Sequence, residues 1–248
     1  MKEKANISTA TPPNKKIKKA IIVLILIIAI CVCAYSGYLI YQSLSEYKEI
    51  DDTYNEVTDM VVGDDFTIDW DKLLAINGDV IAWLRIPDTA ISYPVVQYSD
   101  NSYYLTHNIY KNYSKGGVPF VSYTITNPFE DYNTIIYGHN LNNGSIFSDL
   151  KKYKDSEFAK EHDVVYVYLP DGTTKTYQVF AFYTININSN NIPYNTNIDN
   201  LSDYYSEIEE YNTLNIVEPD TSASIITLST CTNTNKNCRY ILQAYLIN

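Results

Sequence analysis

Residues 224–247 read SIITLSTCTNTNKNCRYILQAYLI. Two β-branched, apolar runs flank a short polar linker, the pattern of a β-hairpin with a longish loop. Cys231 closes the first run and Arg239 opens the second. Alternation along the first strand puts Ile225, Thr227, Ser229 and Cys231 on one face. The hairpin therefore holds a thiol and a guanidinium side by side at one end of a sheet. A fixed positive charge favours the thiolate, which makes Cys231 a candidate nucleophile. Arginine is otherwise scarce: Arg85 and Arg239 stand against sixteen lysines.

The chain has 248 residues, enough for one sizeable domain plus appendages, and its 46% hydrophobic content is ample for a core. With Tyr 25 and only Gly 8, it reads as a tyrosine-rich β protein. The formal net charge of -11 is unevenly spread, because residues 1–19 carry six lysines and one glutamate. The remainder is strongly acidic, which argues against a nucleic-acid partner, since phosphate binding needs basic patches. Asp51-Asp52 and Asp64-Asp65 lack the ligand spacing and central glycine of a calcium loop. The four cysteines form no disulfide framework and no zinc-ligand spacing, and His107, His139 and His162 are scattered. Neither a metal nor a cofactor is expected.

Taken in order, residues 1–19 are polar and basic and are expected to form a disordered tail. Ala20 to Tyr41 is an uncharged, mostly aliphatic run long enough to span a bilayer as a helix. The preceding lysines predict a cytoplasmic N-terminus and an extracellular remainder. The run is long for a signal peptide and no small-x-small cleavage site follows it, so an uncleaved, single-pass membrane anchor is expected. Residues 42–77 read as juxtamembrane and N-terminal helices, with Asp69 able to cap the segment that begins at Trp70. From residue 78 to 248 the pattern is mainly β. Strands are expected at 80–86, 91–96, 118–123, 134–137, 163–169 and 173–187, before the hairpin already described. Pro94 marks the second strand as an edge or bulged one. An amphipathic helix is expected at 201–214, ahead of the cysteine strand. About eight strands with few helices suggest a closed or nearly closed β-barrel.

His139 follows the strand TIIYG and precedes Asn140, a position expected at a sheet rim, where loops carry function. Forming a thioester from an amide needs a thiolate, a proton donor for the leaving amine and donors for the oxyanion. Cys231, His139 and Arg239 supply these once each. Glu130 and Asp131 precede the histidine strand, but nothing in the sequence brings either to His139.

With those residues in hand, the chain resembles the class B sortases, cysteine transpeptidases of Gram-positive cell surfaces. The resemblance rests on TLSTC with an arginine eight positions on, on YGHN, on GDVIAWLRIPDTAISYPVVQYSDNSYYLTHN and on GGVPFVSY. It implies an eight-stranded sortase barrel with N-terminal helices and a helix in the loop before the cysteine strand. Cys231, His139 and Arg239 would share its groove. It also implies that Asn101, Leu105, Ile192, Tyr194 and Ser229 line that groove; for Ser229, alternation independently gives the Cys231 face. The implied reaction is cleavage after threonine in the C-terminal sorting motif of a secreted protein. Transfer to an amine of peptidoglycan or its lipid-linked precursor would follow. Polymerisation of pilins is the alternative within the family, and a non-catalytic surface barrel, an adhesin or assembly partner, is the alternative outside it. A papain-type protease fits poorly, because its cysteine precedes its histidine and lies at a helix N-terminus. A Cys231–Cys238 disulfide would block the chemistry; alternation points the side chains of Arg239 and Cys238 to opposite faces.

Overall fold

The computed structural model describes residues 15–196, 198, 201–214, 217, 219–220 and 222–248, so the first fourteen residues of the basic tail lie outside the described residues. The chain divides into two compact units, Met1–Lys48 and Glu49–Asn248. Helix α1 (Lys15–Val61) starts in the first and ends in the second. It takes in residues 15–19, expected to be disordered, because lysine is a good helix former and the aliphatic run beyond supplies a long helix to extend. In the first unit this helix is exposed, and it is long and apolar enough to cross a membrane by length and composition.

In the second unit, Ile50, Tyr54, Val57 and Val61 of α1 recur at three- and four-residue spacing and are all buried. The Tyr54 hydroxyl donates to the Gly117 carbonyl. Gly117 has φ +58°, and a Cβ there would lie 2.3 Å from the Tyr104 carbonyl oxygen, so only glycine fits. Helix α2 (Trp70–Ile76) is capped as expected, Asp69 accepting from the Lys72 amide at 3.1 Å, and it buries Leu73.

Eight strands follow: β1 (Val80–Arg85), β2 (Ser92–Gln97), β3 (Phe120–Val121), β4 (Asn133–Tyr137), β5 (Val164–Tyr168), β6 (Thr174–Asn186), β7 (Ile225–Cys231) and β8 (Cys238–Leu246). They close into a barrel in the order β1-β2-β3-β4-β7-β8-β6-β5. β2·β3 and β4·β7 are parallel; the other neighbours are antiparallel. Pro94 lies opposite Trp83 of β1, on a part of β2 that β3 does not reach, so its missing N–H breaks no second ladder. The bulge falls instead in β1, between Val80 and Ala82. β3 is shorter than its apolar pattern suggests. Pro119 cannot donate to a ladder, and the Ser122 carbonyl turns away to accept from Gln97 and Ile125. Helix α3 (Ser156–Glu161) precedes β5, capped by Asp155. Helix α4 (Leu201–Glu209) lies in the connection before β7, where Tyr204 and Ile208 join Phe180, Tyr183, Ile225 and Ile241 in one buried cluster.

A buried polar network holds this side of the barrel together. Gln243 of β8 donates to Thr227 of β7 at 2.8 Å and to the Tyr204 hydroxyl of α4, and it accepts from Tyr183 at 3.1 Å. Thr227 in turn donates to Asn133 Oδ1 of β4 at 2.8 Å. Asn133 Nδ2 donates to the carbonyls of Pro193 and Asn195 at 3.0 and 2.9 Å, pinning the segment that carries Tyr194. Each member is satisfied; one stranded buried partner would cost roughly 1–3 kcal/mol.

Burial also sets how the fold responds to alkali. Desolvation raises the phenol of Tyr93, Tyr137 and Tyr204 to about 12 and pushes Tyr153 and Tyr183 up as well. An unfolded phenol ionises near pH 10. Above about pH 10 the unfolded chain therefore binds fewer protons than the folded one, and stability falls as pH rises toward about 12. Absorbance titration at 295 nm alongside circular dichroism is expected to show these phenols ionising together with unfolding. Their smooth titration near pH 10 in a folded chain would contradict the burial.

Candidate active site

β4 and β7 pair in parallel from Asn133↔Ile225 to Tyr137↔Ser229. Two residues further along both strands lie His139 and Cys231, so the register itself brings imidazole and thiol to one rim. The ladder continues past the end of β4: the Gly138 amide donates to the Ser229 carbonyl at 3.1 Å, and Thr230 Oγ1 donates to the Gly138 carbonyl at 2.7 Å. Gly138 must be glycine, since a Cβ there would lie 2.6 Å from the Phe147 ring. The chain then folds back, with the Phe147 amide donating to the His139 carbonyl at 2.9 Å. Asn143 Nδ2 donates to both oxygens of the Asp51 carboxylate, at 3.0 and 3.1 Å, tying this loop to the C-terminal part of α1.

On the other side, β7·β8 pairing sets Cys231 directly opposite Arg239. Cys231 is exposed, although every earlier residue of β7 is buried. Arg239 Nη1 donates to the carbonyls of Lys236 and Cys238, at 2.7 and 3.0 Å, which folds the hairpin loop around the guanidinium. Cys231 and Cys238 are both free, so the bridge that would block the thiol is not formed. His139 Nε2 lies 2.8 Å from the Leu105 carbonyl. A carbonyl only accepts, so the Nε2 that faces it carries a proton and Nδ1 is left free of that bond.

Cys231, His139 and Arg239 line one cleft of about 480 Å³, together with Asn101, Leu105, Tyr194 and Ser229. Ile192 is not part of that lining; its side chain packs instead against the cluster that includes Ile198 and Tyr204, one residue from the lining Asn191. Asn101 is held by Ser122 and by the Tyr123 amide, which donates to its Oδ1 at 2.9 Å. Leu105 is 38% exposed and forms an apolar lip beside the histidine that its own carbonyl orients. Tyr194 and Ser229 share a hydrogen bond of 2.8 Å, and the Tyr137 and Tyr194 rings stack at 6.0 Å. Burial raises both phenols, so at ordinary pH they are neutral groups that can donate.

Phe120, Tyr137 and Thr230 also line the cleft and were not singled out from sequence. Tyr137 was within reach, since it precedes His139 by two and alternation gives it the same side. His107 stacks on Tyr103 at 4.0 Å and His162 on Phe158 at 4.0 Å, each with Nδ1 on a backbone carbonyl, and neither lines the cleft. Glu130 pairs with Lys175 at 2.6 Å, and the Asp131 carboxylate accepts from Asn127. A larger hollow of about 550 Å³, lined by Thr124, Asn127, Asp131 and Thr196 among others, has no cysteine, histidine or arginine among the described residues that line it.

Comparison with known proteins agrees with this geometry. The Sortase domain family model matches residues 84–247. Sortase B of Listeria monocytogenes is 34% identical over 250 residues, covering 94% of this chain and 99% of that protein. Among solved structures, Clostridium perfringens sortase B is 30% identical with a TM-score of 0.64, over 72% of this chain and 99% of that one. Sortase B of Bacillus anthracis in complex with AAEK1 is 26% identical with a TM-score of 0.70, over 83% and 99% respectively. The chain belongs to the sortase family, within class B, and is a cysteine transpeptidase.

The Gly138–Phe147 contact gives a direct check on the rim. Gly138→Ala is expected to cost roughly 1–3 kcal/mol by overpacking and to lower peptide cleavage by moving His139. The double variant Gly138→Ala/Phe147→Leu, which removes the clashing ring edge, is expected to recover part of both in thermal melts and cleavage assays. Equal losses in the single and double variants would contradict the contact.

Proposed function

We propose that this sortase is anchored to the cell membrane by residues 20–41, with residues 1–19 in the cytoplasm and the barrel, residues 78–248, outside. A helix of suitable length and composition supports the anchor, and the lysines before it support the orientation. Its substrates are secreted surface proteins with a C-terminal sorting motif, cut after a threonine. Its acceptor is an amine of peptidoglycan or of the lipid-linked precursor.

In the proposed mechanism, the Cys231 sulfur attacks the carbonyl carbon after threonine and the π electrons move to oxygen. Arg239 donates to that oxyanion through the nitrogens not held by the hairpin carbonyls; its planar fork suits this better than an ammonium. Collapse breaks the C–N bond, and protonated His139 gives its proton to the leaving amine. The thioester is then attacked by the acceptor amine, whose proton returns to His139 as the Cys231 thiolate leaves. Tyr194 and Ser229 offer neutral hydrogen-bonding groups for the peptide backbone, and Leu105 an apolar contact. The observation that carries this reading is the shared cleft, with the thiol directly across a strand pair from the guanidinium and the imidazole one parallel strand away.

The test is a library of threonine-containing peptides incubated with several amines, including a wall-type diamine and a lysine-bearing pilin fragment, with products read by mass. Cys231→Ala is expected to abolish cleavage. His139→Ala should lower kcat by about 10²–10⁴, and Arg239→Lys by about 10²–10³. Transfer to the pilin lysine alone would replace wall attachment with polymerisation. Persistent cleavage by Cys231→Ala would remove the assigned nucleophile.

A further inference from the structure

Asn140 stands immediately after the candidate acid His139, and its side chain crosses to the other catalytic strand. Its Nδ2 donates to the backbone carbonyl of Cys231 at 2.9 Å. The orientation of this amide is fixed by chemistry, since a carbonyl accepts and only Nδ2 can donate to it. The backbone of Asn140 is held as well, through an antiparallel bridge to Ile146 that closes the loop behind the histidine. The side chain thus links two rigid pieces at the point where the β4·β7 ladder has run out. Below it, the ladder ends with the Gly138 amide on Ser229 and Thr230 on the Gly138 carbonyl. The Asn140 bond is the next rung, and it falls on the nucleophile residue itself.

A second observation separates this residue from one retained for stability. Asn140 Oδ1 is buried and finds no hydrogen-bond partner among the described residues. A buried, unpaired acceptor offsets part of what the bond to Cys231 contributes, so the side chain adds little net stability. Places where a local rule is broken in this way are characteristically functional.

We propose that Asn140 is a positioning residue for the transfer reaction. Its amide fixes the spacing between the Cys231 main chain and the imidazole of the preceding residue, and it touches neither peptide nor amine. The inference rests on the assignment of Cys231 and His139 given above. Without this rung, the histidine loop is tied to β7 and its exit only by the Gly138 bonds to Ser229 and Thr230 and, further out, by the Asn233 amide on Asn142 Oδ1 at 3.1 Å; none of these falls on Cys231, and the thiol and imidazole lose their fixed separation. Small misplacements of reacting groups reduce turnover far more than binding.

The test uses the full chain and whichever library peptide it cleaves fastest. Asn140→Ala is expected to lower kcat by about 10- to 100-fold while KM stays within about twofold. The melting temperature should move by no more than about 2 °C, because one satisfied bond and one orphaned acceptor are lost together. Asn140→Asp keeps the shape but replaces the donor with a second acceptor; it should show the same loss of kcat, and it serves if the alanine variant does not fold. Wild-type kcat in either folded variant overturns the proposal. So does a fall in kcat matched by a rise in KM and a lower melting temperature, the signature of general loosening. Cys231→Ala and His139→Ala are run in parallel. If they retain activity, the catalytic assignment fails; if they are inactive while Asn140→Ala is not, only the positioning role fails.

Discussion

Five consecutive residue pairs, Asn133↔Ile225 to Tyr137↔Ser229, lock β4 and β7 in parallel, and the two strands leave the barrel at the same rim. Two groups that meet there need not be near in sequence; they need only be equally far past the last pair. His139 and Cys231 satisfy that condition although 92 positions separate their numbers. A slip by one residue would turn every side chain of β7 to the opposite face and take the thiol away from the imidazole. The antiparallel β8 then brings Arg239 to the same level from the other side. The site is thus a consequence of two registers, one parallel and one antiparallel, that share β7.

What holds those registers is largely polar. Thr227 on Asn133 and Gln243 on Thr227 run across all three strands in the interior. Apolar contacts along β7 would tolerate a shifted pairing with modest loss. A shift would strand several of these buried donors and acceptors, each at roughly 1–3 kcal/mol, a large share of the stability of an ordinary domain. Asn133 also reaches the carbonyls of Pro193 and Asn195, so the group that fixes the register also places Tyr194 over the cleft. Fold specificity and cleft shape depend on one asparagine.

The barrel was legible because its strands are β-branched and bounded by strong turn residues, as at Pro170-Asp171-Gly172 between β5 and β6. That Cys231, His139 and Arg239 share one cleft was legible for a different reason: arginine is rare here, and the thiol, the imidazole and the guanidinium each have one chemically sensible place. Helix α3 was not anticipated, since six residues are too few for a periodic stripe and only the Asp155 cap announces it. β3 was overestimated because an apolar pattern does not reveal where a backbone turns. Ile192 was expected in the groove, yet it packs on the buried cluster and does not line the cleft, whereas Tyr194, at the other end of the same 3₁₀ turn, packs on that cluster and also reaches Ser229 and the cleft. A turn of three residues is too short for a sequence period to mark which of its side chains also reaches the cleft. The role of Asn140 was invisible for a similar reason, because its partner is a main-chain carbonyl on a distant strand.

Acylation of the Cys231 sulfur leaves a species that can be trapped. The full chain is mixed with a cleaved peptide, quenched in acid within the first turnover, digested, and analysed by mass spectrometry. The fragment containing Cys231 is expected to carry the peptide portion ending in threonine, through a bond that hydroxylamine removes. Peptide cleavage with the adduct on another residue, Cys238 included, or with no adduct at any time, would contradict it.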